Sequence, residues 1–326
     1  MVSLVRKSWM IGVGLVVLVA MATLRVWYFA PGGRAEVTID GVSRSLPDWR
    51  AQAEAGDKVA QYVLGDLYRR GVGVPADAPL AFEWLRKAAK QGEPRAELEL
   101  GLVYRTGYGV ERDDSAAVRW LELAARHGQG EAAYDLGYIL ENGAQVSTKD
   151  PQWAQFTATA AMPRELQVGG ERRVLVRNPV EAARWYRLAA ERGHIGAMLS
   201  LGNMYRDGRG VEKNGPEAMR LFEAAAAGIE SNKTDPTPSM AAINLALAYE
   251  KGGIVALDYS AAARWAEEAL ASPALPPLTE VAAAGLLAEL YAEGRGVVRD
   301  DEKARSLQAR AAAAGDKMRK ARAPNP

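Results

Sequence analysis

The chain has no cysteine, only two histidines and only four phenylalanines, and its 41 basic and 40 acidic residues cancel to a net charge of +1. Without cysteine there is no disulfide, no thiolate nucleophile, no Cys-ligated zinc and no lipidated N-terminal cysteine, although the redox compartment stays open. His127 and His194 carry no HExxH pattern, so no metal site is expected and the two read as loop or helix-end residues. The balanced charge offers no basic surface for a polyanion, and no nucleic acid partner is expected. What is present is a globular composition, 48% hydrophobic and 25% charged over 326 residues.

The charge is unevenly spread. Residues 1–30 contain Arg6, Lys7 and Arg25 and no acid, which leaves the remainder slightly acidic. Ser8 to Leu24 is uncharged for 17 residues, about 26 Å as a helix against a hydrocarbon core of about 30 Å. With Arg25 snorkelling and Trp9, Trp27 and Tyr28 at the interfaces, residues 8–30 read as a single-pass anchor. The competing reading is a cleaved signal segment, with the small-x-small triplet Ala20, Met21, Ala22 as the cleavage site. Both put the rest of the chain across a membrane, but Arg34, Arg44 and Arg50 weaken the charge bias, so a cytosol-facing chain remains an alternative.

Residues 31–47 read as a polar connector, and beyond them the chain repeats itself. The segment from Ala60 to Gly92 matches that from Ala96 to Gly128 at an offset of 36, which maps Gly65 to Gly101, Gly71 to Gly107, Gly73 to Gly109 and Trp84 to Trp120. A third copy carries Gly137 and, after an insertion, Trp185. A fourth carries Gly202, Gly208 and Gly210, a fifth Trp265, and a sixth runs from Ala283 to Gly315. Each copy predicts two helices with apolar stripes, such as Ala60, Leu64, Leu67 and Tyr68, then Ala81, Trp84, Leu85, Ala88 and Ala89. The G-x-G pairs lack a following G-K-[ST] and a preceding strand, so they read as turns and not as phosphate loops. Asp77, Asp113, Asn178, Asn214, Asp258 and Asp300 recur at one position and read as N-caps of the second helices.

The pattern A-x-x-x-L-G-x-x-Y-x-x-G-x-G-V followed by W-x-x-x-A-A-x-x-G resembles the Sel1-like repeat family, relatives of the tetratricopeptide repeat. The resemblance implies an all-α, right-handed α-solenoid acting as a protein-binding scaffold, non-enzymatic and without cofactors. The repeats lie near 57–92, 93–128, 129–193, 194–228, 238–272 and 279–315, within a solenoid spanning 48–315. A lone capping helix is expected at Asp48 to Gly56, and a flexible tail at 316–326. The lack of cysteine sets the chain apart from the family's cysteine-rich members. Ala246 and Ala288 replace the glycine of the first helix, and Leu221 and Leu307 replace the tryptophan, so these copies are expected to pack more loosely or act as caps.

Partner recognition is expected on the first helices, at positions two before and one and five after the repeat glycine. The candidates are Glu99, Asp135, Tyr138, Asn142, Ser200, Asn203, Asp207 and Asn244, within rows that also hold Val63, Asp66, Arg70, Leu102, Thr106, Leu247, Lys251, Leu286, Glu289 and Glu293. Acids and amides suit hydrogen bonding to a protein or peptide main chain. The insertion at 145–177 contains Trp153, Phe156 and Met162, then Leu166 to Val176, which reads as two short strands around Gly169 and Gly170. The expected function is a membrane-anchored adaptor facing the bacterial periplasm. The alternative from another class is a regulator or enzyme acting on envelope material such as peptidoglycan.

Overall fold

The computed structural model describes residues 24–27, 36–39, 42–147, 164–168, 171–229 and 234–322. Residues 8–23 and 28–30 of the expected anchor, and Trp153, Phe156 and Met162 of the insertion, lie outside the described residues. The chain divides into two units, one ending at His127 and the other beginning at Gly128.

In the first unit, β1 (Leu24–Trp27), β2 (Glu36–Ile39) and β3 (Val42–Ser45) form an antiparallel meander. Leu24 pairs with Ile39, and Ile39 in turn with Val42. Two expectations are corrected here. Leu24–Trp27 is strand and not the end of a membrane helix, and the connector at 31–47 carries strands. The chain then enters α1 (Leu46–Glu54), the lone helix expected before the first repeat, capped by Ser45 and anchored by the fully buried Trp49. Two helical pairs follow, α2 (Lys58–Arg70) with α3 (Ala78–Lys90) and α4 (Pro94–Thr106) with α5 (Asp114–Arg126).

The second unit opens with α6 (Gly130–Asn142), whose partner α7 (Pro179–Glu191) comes after the insertion. Within the insertion, β4 (Ala144–Ser147), β5 (Arg164–Val168) and β6 (Glu171–Val176) form an antiparallel sheet in the order β4-β6-β5. The expected hairpin is present, with Val168 opposite Glu171 across Gly169 and Gly170; β4 was not anticipated. Three more pairs complete the unit: α8 (Ile195–Asp207) with α9 (Gly215–Ala226), α10 (Thr237–Lys251) with α11 (Tyr259–Ala271), and α12 (Pro277–Glu293) with α13 (Asp301–Arg322). The helical pairs are those of an all-α solenoid, with six short strands added among the described residues. Instead of a flexible tail after Gly315, α13 runs on to Arg322: its last turns are built from Ala, Lys and Arg, good helix formers, and Asp316 pairs with Arg319. No described helix is long and apolar enough to cross a membrane.

One joint makes each pair. The six expected cap residues all accept from the backbone N–H three residues on, from Asp77 with Leu80 at 3.0 Å to Asp300 with Lys303 at 2.8 Å. Each cap is worth about 1 kcal/mol to its helix. Their own N–H groups donate to carbonyls late in the first helix, five of the six belonging to tyrosines: Tyr68, Tyr104, Tyr205, Tyr249 and Tyr291. A single side chain thus starts the second helix while its backbone ties that helix to the first.

The helices of a pair meet at the repeat glycine. A Cβ at Gly65 or Gly101 would stand 2.7 Å from Cγ of Leu85 or Leu121, and one at Gly137 or Gly202 would stand 2.6 Å from the ring of Tyr186 or Phe222. Only glycine lets the backbones approach this closely. The repeat tryptophans, expected in the core, are half-buried. Trp84 packs against buried residues of α1 and α2, and Trp120 against those of α3 and α4. Trp84 and Trp120 therefore seal the joint between their own first helix and the helix before it.

Candidate partner-binding face

The positions read as one polar face fall into two classes. Of the residues two before the repeat glycine, Glu99 and Asn244 bond to the preceding first helix, while Val63, Asp135 and Leu286 are buried at 0%, 8% and 7%. This corrects the expectation of an open row: Val63 packs in the cluster of Trp49 and Ala53 of α1, and Leu286 in that of Leu245 of α10. Asp66, one residue after the glycine, is also buried, because Arg69 at 2.6 Å and Arg70 at 3.2 Å fold over it.

The seams between first helices are polar and specific. Between the first two pairs, Arg69 reaches Glu99 at 3.2 Å. Between the third and fourth, Tyr186 donates to Glu141 at 2.8 Å while Ser200 bonds to the same phenol, and Arg209 pairs with Glu141 from the other side. Burial, reinforced by the Glu141 carboxylate, pushes the Tyr186 hydroxyl well above its ordinary range, so it stays a donor. Between the fourth and fifth, Asn244 donates to Asn203 at 3.1 Å. Glu99, Ser200, Asn203 and Asn244 are therefore stitching residues. The sequence reading missed Arg69, Glu141 and Tyr186; the available signal was the polar residue four after the glycine, Arg69, Arg105, Glu141, Arg206 and Glu250 in successive copies.

In the second unit the outward-facing candidates are Tyr138, Asn142 and Asp207. Tyr138 is 47% exposed, the only aromatic among the exposed large apolar side chains of the described residues. The Asn142 amide donates to the Tyr138 carbonyl at 2.9 Å, and Asp207 is held by Arg206 at 2.8 Å and Arg209 at 3.5 Å. Hydrogen bonding from Arg206 keeps the Asp207 carboxyl below its ordinary range, so it is an anion at any physiological pH. The arrangement offers one aromatic surface, an amide and a fixed carboxylate on helices locked by the seams, which suits recognition of another polypeptide.

His127 and His194 are helix-end residues, as read. His127 bonds the buried Glu97 at 2.7 Å. His194 caps α8 through Nδ1, which accepts from Ala197 N–H at 3.2 Å, and stacks on Tyr134 with ring centroids 4.3 Å apart. Among the described residues no group of three or more His, Asp and Glu is placed to hold a metal ion.

Comparison with known proteins accounts for this geometry. Two curated relatives are named exopolysaccharide production negative regulator. The one from Rhizobium leguminosarum bv. viciae is 40% identical over 75 residues, and the one from Rhizobium meliloti is 42% identical over 74. Those matches cover 23% and 22% of this chain and 28% of each relative. Among solved structures, a protective antigen present in uropathogenic Escherichia coli strains and displaying an SLR fold superposes with a TM-score of 0.65 at 26% identity, over 84% of this chain and 50% of that one. A Sel1 repeat protein from Oxalobacter formigenes gives 0.55 at 26% identity, over 80% and 86%. The chain thus spans half of the E. coli protein and little more than a quarter of the regulators. The family model of the Sel1 repeat matches residues 58–93, 94–129, 130–154, 169–194, 195–228, 239–272 and 281–316. The third and fourth segments are the two halves of the pair α6 and α7, parted by the insertion. With most of its length in these segments, the chain belongs to the Sel1 repeat family.

Proposed function

We propose that the protein is a non-enzymatic scaffold that holds a protein or peptide partner on the first-helix face of its second unit. The observation that carries this reading is the exposure of Tyr138, Asn142 and Asp207 on helices fixed by the Glu141–Tyr186–Ser200 and Asn203–Asn244 seams. Substituting all three exposed residues by alanine leaves the seams intact, so it is expected to keep the fold while abolishing partner capture. A photo-crosslinking residue at Tyr138 in cells is expected to give a discrete adduct that is lost when Asn142 and Asp207 are alanine. A crosslinker at Tyr138 that yields no adduct counts against the face.

A second reading concerns what the partner controls. The 40% and 42% identity to negative regulators of exopolysaccharide production supports a role in regulating a cell-surface polysaccharide, exerted by holding a protein of that pathway. Deleting the gene is then expected to raise secreted polysaccharide several-fold, and an unchanged amount argues against it. Export of the repeats across the bacterial inner membrane, by anchor or cleaved segment, belongs to the same proposal.

A further inference from the structure

The tryptophan of the second helix is present in four pairs, as Trp84, Trp120, Trp185 and Trp265, and is replaced by Leu221 in the fourth. Where its surroundings are clearest, the indole lies between the preceding second helix and its own first helix: Trp120 packs against the cluster that contains Ala89 of α3 and Leu100 of α4. The matching residues around Leu221 are Ala190 of α7 and Leu201 of α8, and here the structure has a cleft of about 230 Å³. Its floor is Met198, Leu201 and Leu221, with Ala190 and Ala224 as walls. Leucine is shorter than tryptophan, so the backbone frame of an indole seat is kept while the indole is missing.

We propose that this cleft is a docking seat for an aromatic side chain, an indole above all, presented by a partner polypeptide. The chain itself shows which shape the frame accepts, since the same position holds Trp in four other pairs. An apolar cavity of about 150 Å³ is large enough to bind benzene, so space for one aromatic ring is ample. The rim carries two guanidinium groups, Arg187 and Arg220, and two carboxylates, Glu191 and Glu217, and the guanidinium groups are the ones suited to an electron-rich ring. Arg187, which donates to Tyr205 at 2.8 Å, and Arg220, bonded to Glu217 at 2.6 Å, line the opening from opposite helices. Guanidinium groups held beside an aromatic face attract it; Lys87 already lies 4.2 Å from the ring centroid of Trp84 in the first pair. This seat lies between α7, α8 and α9 and shares no residue with the Tyr138, Asn142 and Asp207 face, resting on the scaffold reading only in that its occupant belongs to a protein partner.

The test is a titration of the full chain with N-acetyl-tryptophanamide, followed by NMR of methyl groups at Met198 and Leu201. Saturable shifts are expected at both methyls, with N-acetyl-alaninamide giving none. Leu221→Trp fills the seat from within and is expected to weaken binding at least tenfold while raising the melting temperature; Ala190→Leu, which narrows the seat from the other wall, is expected to weaken it likewise. Absence of saturable shifts, equal affinity in both variants, or binding of free indole but not of N-acetyl-tryptophanamide would overturn the proposal. Alanine at Tyr138, Asn142 and Asp207 is expected to leave the titration unchanged, so failure of the first-helix face and failure of the seat are read separately.

Discussion

Gly202 has no room for a methyl group because the Phe222 ring occupies that space, and the same contact explains why the fifth pair tolerates Ala246 where glycine stands elsewhere. Twenty residues after the repeat glycine come Leu85, Leu121 and Phe222, but twenty after Ala246 comes Ala266, and both alanines are fully buried. The methyl has moved from one helix to the other, so this copy is not looser, as the glycine-to-alanine change alone suggested. Leu221, also expected to loosen its copy, is itself 3% exposed, and the cleft of about 230 Å³ lies beside it. A second exchange of this kind lies at the turns. Gly109, Gly210 and Gly296 sit on the backbone at Ala78, Pro179 and Tyr259, the first residues of preceding second helices. In the fifth copy the turn carries Ile254, and the helix start beneath it is Gly215. The exchange between the paired positions is measurable. Gly202→Ala alone is expected to cost about 1–3 kcal/mol by overpacking, and Phe222→Ala about 3–5 kcal/mol by cavity formation. The double substitution, which recreates the Ala246–Ala266 pair, is expected to fall short of the sum by at least about 1 kcal/mol in urea denaturation; strict additivity would refute the pairing. Single positions were legible in the sequence, their partners less so. Asp135 and Asp66 look like free acids on a helix wheel, yet both are buried, Asp66 beneath two arginines.

Helix starts were legible because capping is local: an Asp or Asn and the N–H three residues later are fixed by the same short segment. His194 is the unusual member, an imidazole doing the work of a carboxylate or amide at the start of α8. It can accept from Ala197 only while Nδ1 is unprotonated, and burial already lowers its pKa from 6.5, against the opposing pull of Glu131 and Asp235. Above pH 6.5 the histidine is neutral in both folded and unfolded chains and its cap contributes in full. As pH falls below 6.5 the unfolded chain takes up the proton first, so stability drops until the folded-state pKa is passed. His194→Asn keeps a cap that does not titrate. It is expected to flatten the stability profile below pH 6.5 relative to the parent chain, with other groups cancelling in the difference; parallel profiles would remove His194 from the pH response. Strands were less visible than helices. Asp40 and Gly41 stand between Ile39 and Val42 and are a strong hairpin signal, overlooked because the segment was taken for a linker before a repeat array. β4 offered no such signal: AQVS has neither alternation nor a bounding turn of its own, and its place is set by pairing with β6 across residues distant in sequence.

For the whole molecule, the route to its compartment bears on the pairing of Leu24–Trp27. Leu24, Arg25, Val26 and Trp27 pair with Ile39, Thr38, Val37 and Glu36, so these four residues are unavailable to a membrane helix in the same chain. What remains uncharged is Ser8 to Thr23, 16 residues, about 24 Å as a helix and further short of the roughly 30 Å hydrocarbon core than the 17-residue reading allowed. Cleavage after Ala22 would leave an apolar start, TLRVWYFA from Thr23 onward, which counts against it. That objection weakens when Leu24–Trp27 is the first strand of a sheet whose third strand leads directly into α1 and the capped repeats. Cleavage at the Ala20-Met21-Ala22 triplet would release a chain whose second residue already belongs to folded structure, a position where a protease would be barred from cutting further. The expected outcome is a mature protein beginning at Thr23, recovered in the soluble periplasmic fraction and identified by intact mass and N-terminal peptide mapping. A full-length mass in the carbonate-resistant membrane pellet would restore the anchor, and it would require β1 to give up its pairing with β2 so that the span can lengthen through Trp27.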